Sequence, residues 1–150
     1  MAQVETDHVY CLASPMQLAE KKVPWRGATV LVIEDERFVR EVTCEILREA
    51  GYRVLQAESA SGAKTVFRRH GNRIQLLLCD AVLPDSSGAL LAQALRRRSA
   101  GLKVILVSGY PSARLAGYFD AESGAEFMAK PYSATALIAK MQMVLQKQGS

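Results

Sequence analysis

No hydrophobic run in this chain approaches the roughly 20 residues that a bilayer-spanning helix needs. Its first stretch, MAQVETDHVYCLASPMQLAEKK, has neither a basic start nor an apolar block. No secretory leader is read there, and a cytoplasmic location is expected. Cysteine is sparse: Cys11, Cys44 and Cys79 are odd in number and lack the paired spacing of a zinc site. That predicts reduced thiols and excludes a disulfide scaffold. Histidine is sparser still. His8 and His70 both read as surface residues, and neither sits where a kinase would carry a phosphohistidine. Internal repeats and low-complexity tracts are missing. So is a glycine-rich loop after the first apolar run, which a flavin or nucleotide binder of similar build would use to cradle phosphate. The net charge is +4, but the bases are scattered except in RRH (68–70) and RRRS (96–99). Both of these end helical segments, where cations suit the helix dipole, so nucleic acid is not an expected partner.

What the sequence does contain is order. Hydrophobic residues make up 49% of 150 residues, enough for one domain with a true core. From Gly27 onward, short apolar runs alternate with helical patterns. ATVLVI (28–33), YRVLQA (52–57), IQLLLCD (74–80), KVILVSG (103–109) and AEFMAK (125–130) read as strands. Between and after them, 37–51, 59–71, 89–98, 110–124 and 133–147 read as helices. In the first of these, Phe38, Val39, Val42, Ile46 and Leu47 are expected to share the buried face. The turn LPDSSG (83–88) offers Ser or Asp to cap the helix that follows it. Five β-α units with unbroken apolar strands argue for a parallel sheet covered by helices on both faces, with ligands at the carboxyl ends of the strands. Residues 1–26 precede the repeat as an arm or linker; SPMQLAEKK (14–22) has the signals of a short capped helix. Residues 27–147 form the domain, and 148–150 a tail.

The residues just past the strands carry the chemistry. Strand one delivers Glu34 and Asp35, strand three Asp80, strand four Ser108 and Gly109, strand five Lys130 and Pro131. Clustered carboxylates repel one another unless a cation sits among them. Oxygen ligands suit a hard ion such as Mg2+, which accepts phosphate oxygens as further ligands. Lys130 and Ser108 would offer a positive charge and a hydrogen-bond donor to an anion there. Glu36 reads instead as an acid at a helix start. Cys79 reads as a small buried thiol.

In this order, VIEDE, DAVLPDSSG, VSG and KP make residues 27–147 resemble a response-regulator receiver domain of two-component signalling. SGYPSARLAG and FMAKPYSATALIAKMQMVL look most like receivers of hybrid sensor histidine kinases. The resemblance implies a flavodoxin-like (βα)5 fold with strand order 2-1-3-4-5. It implies that Asp80 accepts a phosphoryl group from a partner histidine kinase or histidine phosphotransfer protein. Asp35, Asp80 and the backbone carbonyl of Val82 would hold Mg2+, with Glu34 assisting through water. Ser108 and Lys130 would engage the phosphoryl group, with Val82, Gly109, Tyr110 and Pro131 at the pocket rim and the Lys130–Pro131 bond cis. Phe127 matches the aromatic switch position, and about residues 112–147 would form the surface presented to a downstream protein. Such a chain is not itself an enzyme. Homodimer formation is left open by the sequence. Two alternatives stand beside this reading: a receiver excised from a hybrid kinase, and an interaction module of the same fold that is never phosphorylated.

Overall fold

The structure, a computed structural model, describes residues 26–109 and 124–147. Five strands form one parallel sheet in the order β2-β1-β3-β4-β5. They are β1 (Thr29–Ile33), β2 (Arg53–Ala57), β3 (Ile74–Asp80), β4 (Lys103–Ser108) and β5 (Glu126–Ala129). The helices are α1 (Arg37–Glu49), α2 (Ala60–His70), α3 (Gly88–Arg98) and α4 (Ala134–Gln146), with a 3-10 turn at Gly71–Arg73. The arm before residue 26, the expected helix over 110–124 in all but its last residue, Tyr110 included, and the tail after 147 lie outside the described residues.

Strand side chains alternate between two cores, as the two-residue period of a pleated strand requires. Leu31, Ile33, Leu77, Cys79, Val104 and Leu106 pack toward α2 and α3. Val30, Val32, Leu76, Leu78, Ile105 and Val107 pack toward α1 and α4. Because both faces are covered, β1, β3 and β4 are apolar at nearly every position. Each fully buried leucine in such a core contributes about 1.5–3 kcal/mol. The bases of RRH and RRRS do fall in the last turns of α2 and α3.

Helix α1 departs from expectation. Phe38 is 73% exposed and Val42 42%, whereas Thr43, Cys44 and Leu47 are buried. The core-facing stripe is thus rotated by about one residue step around the helix from the most apolar stripe. Burial of Thr43 is possible because its hydroxyl pairs with the Tyr132 hydroxyl at 3.0 Å, so neither of these two hydroxyls is left unsatisfied. The turn before α3 supplies the cap expected of it, from a serine. Ser87 caps α3, its oxygen accepting from the Leu90 amide, while Asp85 turns to another helix. Glu36 stands at the N-cap of α1, but its side chain makes no capping bond.

Candidate functional site

Pairing in the sheet brings the strand ends to one rim. Ile33 lies beside Cys79 and Asp80 beside Val107, and Ser108 lies beside Ala129. The chain therefore leaves β1 at Glu34, β3 at Asp80, β4 at Ser108 and β5 at Lys130, all at the carboxyl edge. The Lys130 amide donates to the Ser108 carbonyl at 2.8 Å, which extends the β4–β5 pairing one residue past Ala129. The Lys130–Pro131 bond is cis.

Glu34, Asp35 and Asp80 each turn a carboxylate oxygen inward, all within 4.8 Å of one another. At an effective dielectric near 20, each such pair repels by roughly 3 kcal/mol or more. Lys130 answers part of this. Its Nζ donates to Glu34 Oε1 at 2.7 Å and to Asp80 Oδ2 at 2.9 Å. The three acids in their charged form sum to three negative charges against one positive, a deficit that one divalent cation fills. An all-oxygen donor set is what Mg2+ selects, so the residues fit the ion that the sequence implied.

The acids are not equivalent. Glu34 is buried, its second oxygen accepting the Glu36 amide at 3.1 Å, while Asp35 is exposed. Burial pushes the Glu34 carboxyl above the usual carboxylate range, against the lowering effects of Lys130 and the Glu36 amide; the Asp80 charge adds to the rise. Burial acts to lower the Lys130 ammonium, but its bonds to Glu34 and Asp80 and their charges outweigh it and hold the ammonium above its ordinary value. The lysine is therefore a cation near neutral pH. Asp80 is further oriented by the Val82 amide, which donates to Oδ1 at 3.0 Å. Val82 itself is 54% exposed at the rim. Ser108 is buried, Gly109 and Pro131 are exposed, and Phe127 is partly buried on β5 beside Leu106. Cys79 lies inside the sheet. Burial drives its thiol far above the ordinary range, with a smaller push from Asp80 and Glu34.

Three supports were not foreseen. Arg40 on α1 donates to the Glu34 carbonyl at 2.8 Å and to Gln56 Oε1 at 3.0 Å, pinning the acidic turn to β2. Gly88 opens α3 so close to the end of β3 that a Cβ there would sit 2.2 Å from the Asp80 carbonyl oxygen. Tyr132, the residue after KP, ties that turn to α1 through Thr43. Glycine eight residues after an acid-ended strand was a readable signal for the second; the other two are long-range pairs that local pattern does not announce.

Residues 30–142 match the response regulator receiver domain family. The chain is 32% identical over 140 residues to the sensor kinase CckA of Brucella abortus, covering 90% of this chain and 15% of that protein. It is 31% identical over 128 residues to the phosphate regulon transcriptional regulatory protein PhoB of Pseudomonas aeruginosa, covering 82% of this chain and 54% of that one. Among solved structures, the receiver domain of the hybrid histidine kinase CckA superposes with a TM-score of 0.68 at 29% identity, covering 79% of this chain and 99% of that domain. A receiver domain protein from Clostridium thermocellum gives 0.72 at 25% identity, covering 79% and 94%. The chain thus spans from under a sixth to about half the length of these two curated relatives. Among the described residues no helix is long and apolar enough to cross a membrane. With the five-stranded order, the acidic rim and its lysine in place, the chain belongs to the response-regulator receiver family of two-component signalling.

Proposed function

We propose that this chain accepts a phosphoryl group on Asp80 from the phosphohistidine of a partner kinase or phosphotransfer protein, and that Mg2+ assists. The observation that carries the reading is the bridge made by Lys130 between Asp80 and Glu34 within the acidic cluster. An unphosphorylated interaction module has no use for three carboxylates so placed.

An Asp80 carboxylate oxygen attacks phosphorus. The new O–P bond forms as the N–P bond of the donor breaks, and the imidazole leaves with the electron pair and takes up a proton. Asp35, Asp80 and the Val82 carbonyl would hold the metal, with Glu34 assisting. When bound, the ion supplies positive charge that lets two anions meet and takes phosphoryl oxygens as ligands. Lys130 is placed to exchange a carboxylate partner for a phosphoryl oxygen. Ser108, on the next strand end, would donate its hydroxyl to the same group. A shift of Ser108 toward the phosphoryl group, with Phe127 turning inward, would pass the signal to the surface over about residues 112–147. Exposed Phe38 and Val42 on α1, next in the chain after the acids, offer the donor protein an apolar contact.

The test is incubation with acetyl phosphate and MgCl2, read by intact-protein mass. One phosphate should be added, and Asp80→Asn or chelation of the metal should abolish it. Equal labelling of the Asp80→Asn protein would overturn the assignment.

A further inference from the structure

Asp85 lies in the loop that joins β3 to α3, five residues beyond the proposed acceptor. Its Oδ1 accepts the Ala60 amide and its Oδ2 the Ser61 amide, each at 2.9 Å. These are the first two residues of α2. The third amide, that of Gly62, goes to Ser59 Oγ at 3.0 Å, and the fourth, that of Ala63, to the Ser59 carbonyl at 2.9 Å. Every amide of the first turn of α2 is therefore satisfied, half of them by a carboxylate from a loop some 25 residues later in the chain. A negative charge there is also favoured by the helix dipole.

The loop is short and carries Val82, whose carbonyl the proposed metal site uses. It is closed internally by the Leu83 amide to the Ser86 carbonyl, 3.0 Å, and the Gly88 amide to the Ala81 carbonyl, 2.8 Å. Outward, Leu83 is buried in the core beneath α2 and α3, which fixes the depth of the loop. A buried leucine does not fix its sideways position, because apolar contact is not directional. The two bonds of Asp85 do, by tying the loop to the start of α2.

We propose that Asp85 is a positioning residue for the metal site, joining the Val82 loop and the N-terminus of α2 into one unit so that metal binding and the start of α2 are coupled. This rests on the proposed magnesium-dependent function. Coupling of this kind is reciprocal: metal should be felt at Ala60 and Ser61, and loss of Asp85 should weaken metal binding.

The experiment is a MgCl2 titration of the intact chain followed by amide NMR, with Asp35 and Val82 reporting the site and Ala60 and Ser61 reporting α2. In the wild type all four should shift with one midpoint. Asp85→Ala should raise the midpoint by about tenfold, the low end of what outer-shell changes cost a metal site. Asp85→Asn, which keeps one acceptor, should fall between, and serves alone should the alanine variant not fold. Ser59→Ala removes a cap of the same helix without touching the loop and should keep the wild-type midpoint. An unchanged midpoint in the Asp85 variants, or an equal rise in Ser59→Ala, would overturn the coupling. So would shifts at Asp35 and Val82 with none at Ala60 and Ser61. A wild type with no shift at Asp35 or Val82 would instead overturn the metal reading, and this inference with it.

Discussion

Lys130→Met keeps most of the side-chain bulk and removes the charge. In the wild type the ammonium lies 2.7 Å from Glu34 and 2.9 Å from Asp80, with side-chain exposures of 26%, 7% and 14% for Lys130, Glu34 and Asp80. At an effective dielectric near 20 each contact is worth about 6 kcal/mol before desolvation is counted. Breaking a fully buried pair costs about 3–5 kcal/mol and an exposed one about 0–1. This half-open site belongs between, at about 2–3 kcal/mol near neutral pH without metal. The loss should depend on pH. With Lys130 gone, burial and the Asp80 charge still raise the Glu34 carboxyl, and only the Glu36 amide still opposes them. A carboxyl raised in the folded state holds a proton that the unfolded chain has released. Stability is then fullest below the unfolded value, 4.5, and falls as pH rises through the folded one. The mutant deficit should therefore be small near pH 5 and larger near pH 7.5, by about 1.4 kcal/mol for each unit of added shift. Urea unfolding in EDTA at both pH values, each against wild type, measures it. A deficit equal at the two pH values would show that Lys130 matters through packing and that the charge balance drawn for the rim is wrong.

Two further outcomes follow from the geometry. Gly88→Ala should cost about 2–3 kcal/mol in urea unfolding and slow acetyl-phosphate labelling together, since a Cβ only 2.2 Å from the Asp80 carbonyl oxygen forces the backbone of β3 or the start of α3 to shift; full stability with normal labelling would contradict this. Val82→Asn places a group able to orient water beside the proposed acyl phosphate, and should speed its loss after donor removal by about tenfold, or about 1.4 kcal/mol of barrier. An unchanged lifetime would place control of hydrolysis elsewhere.

Much of the architecture was readable because the central strands are covered on both faces and so appear as unbroken apolar runs. The rim was readable for the same reason: each apolar run stops at a polar residue at the carboxyl edge of the sheet, which is where Glu34, Asp80, Ser108 and Lys130 stand. What local pattern missed depends on partners far away. The buried side of α1 includes Thr43, whose hydroxyl is satisfied 89 residues later by Tyr132. Asp85 looks like a cap for the helix it precedes, yet it serves one 24–25 residues earlier. The unequal burial of Glu34 and Asp35 follows from the turn into α1, which Arg40 pins, and two adjacent acids give no hint of it.

The bridge between Glu34 and Lys130 joins residues 96 apart in the chain. It has a consequence for how the molecule comes into being. β5, four residues long and pairing in the sheet with β4 alone, is the last strand to be synthesised. Until it docks, the three acids gathered by the earlier strands lack the Lys130 ammonium. Contacts this distant in sequence form late, after much chain entropy has been lost. The acidic rim with its lysine is thus completed by the final strand, and local release of that edge would dismantle it while leaving most of the sheet standing. The proposed readiness to receive a phosphoryl group would in this way report that the whole sheet has closed.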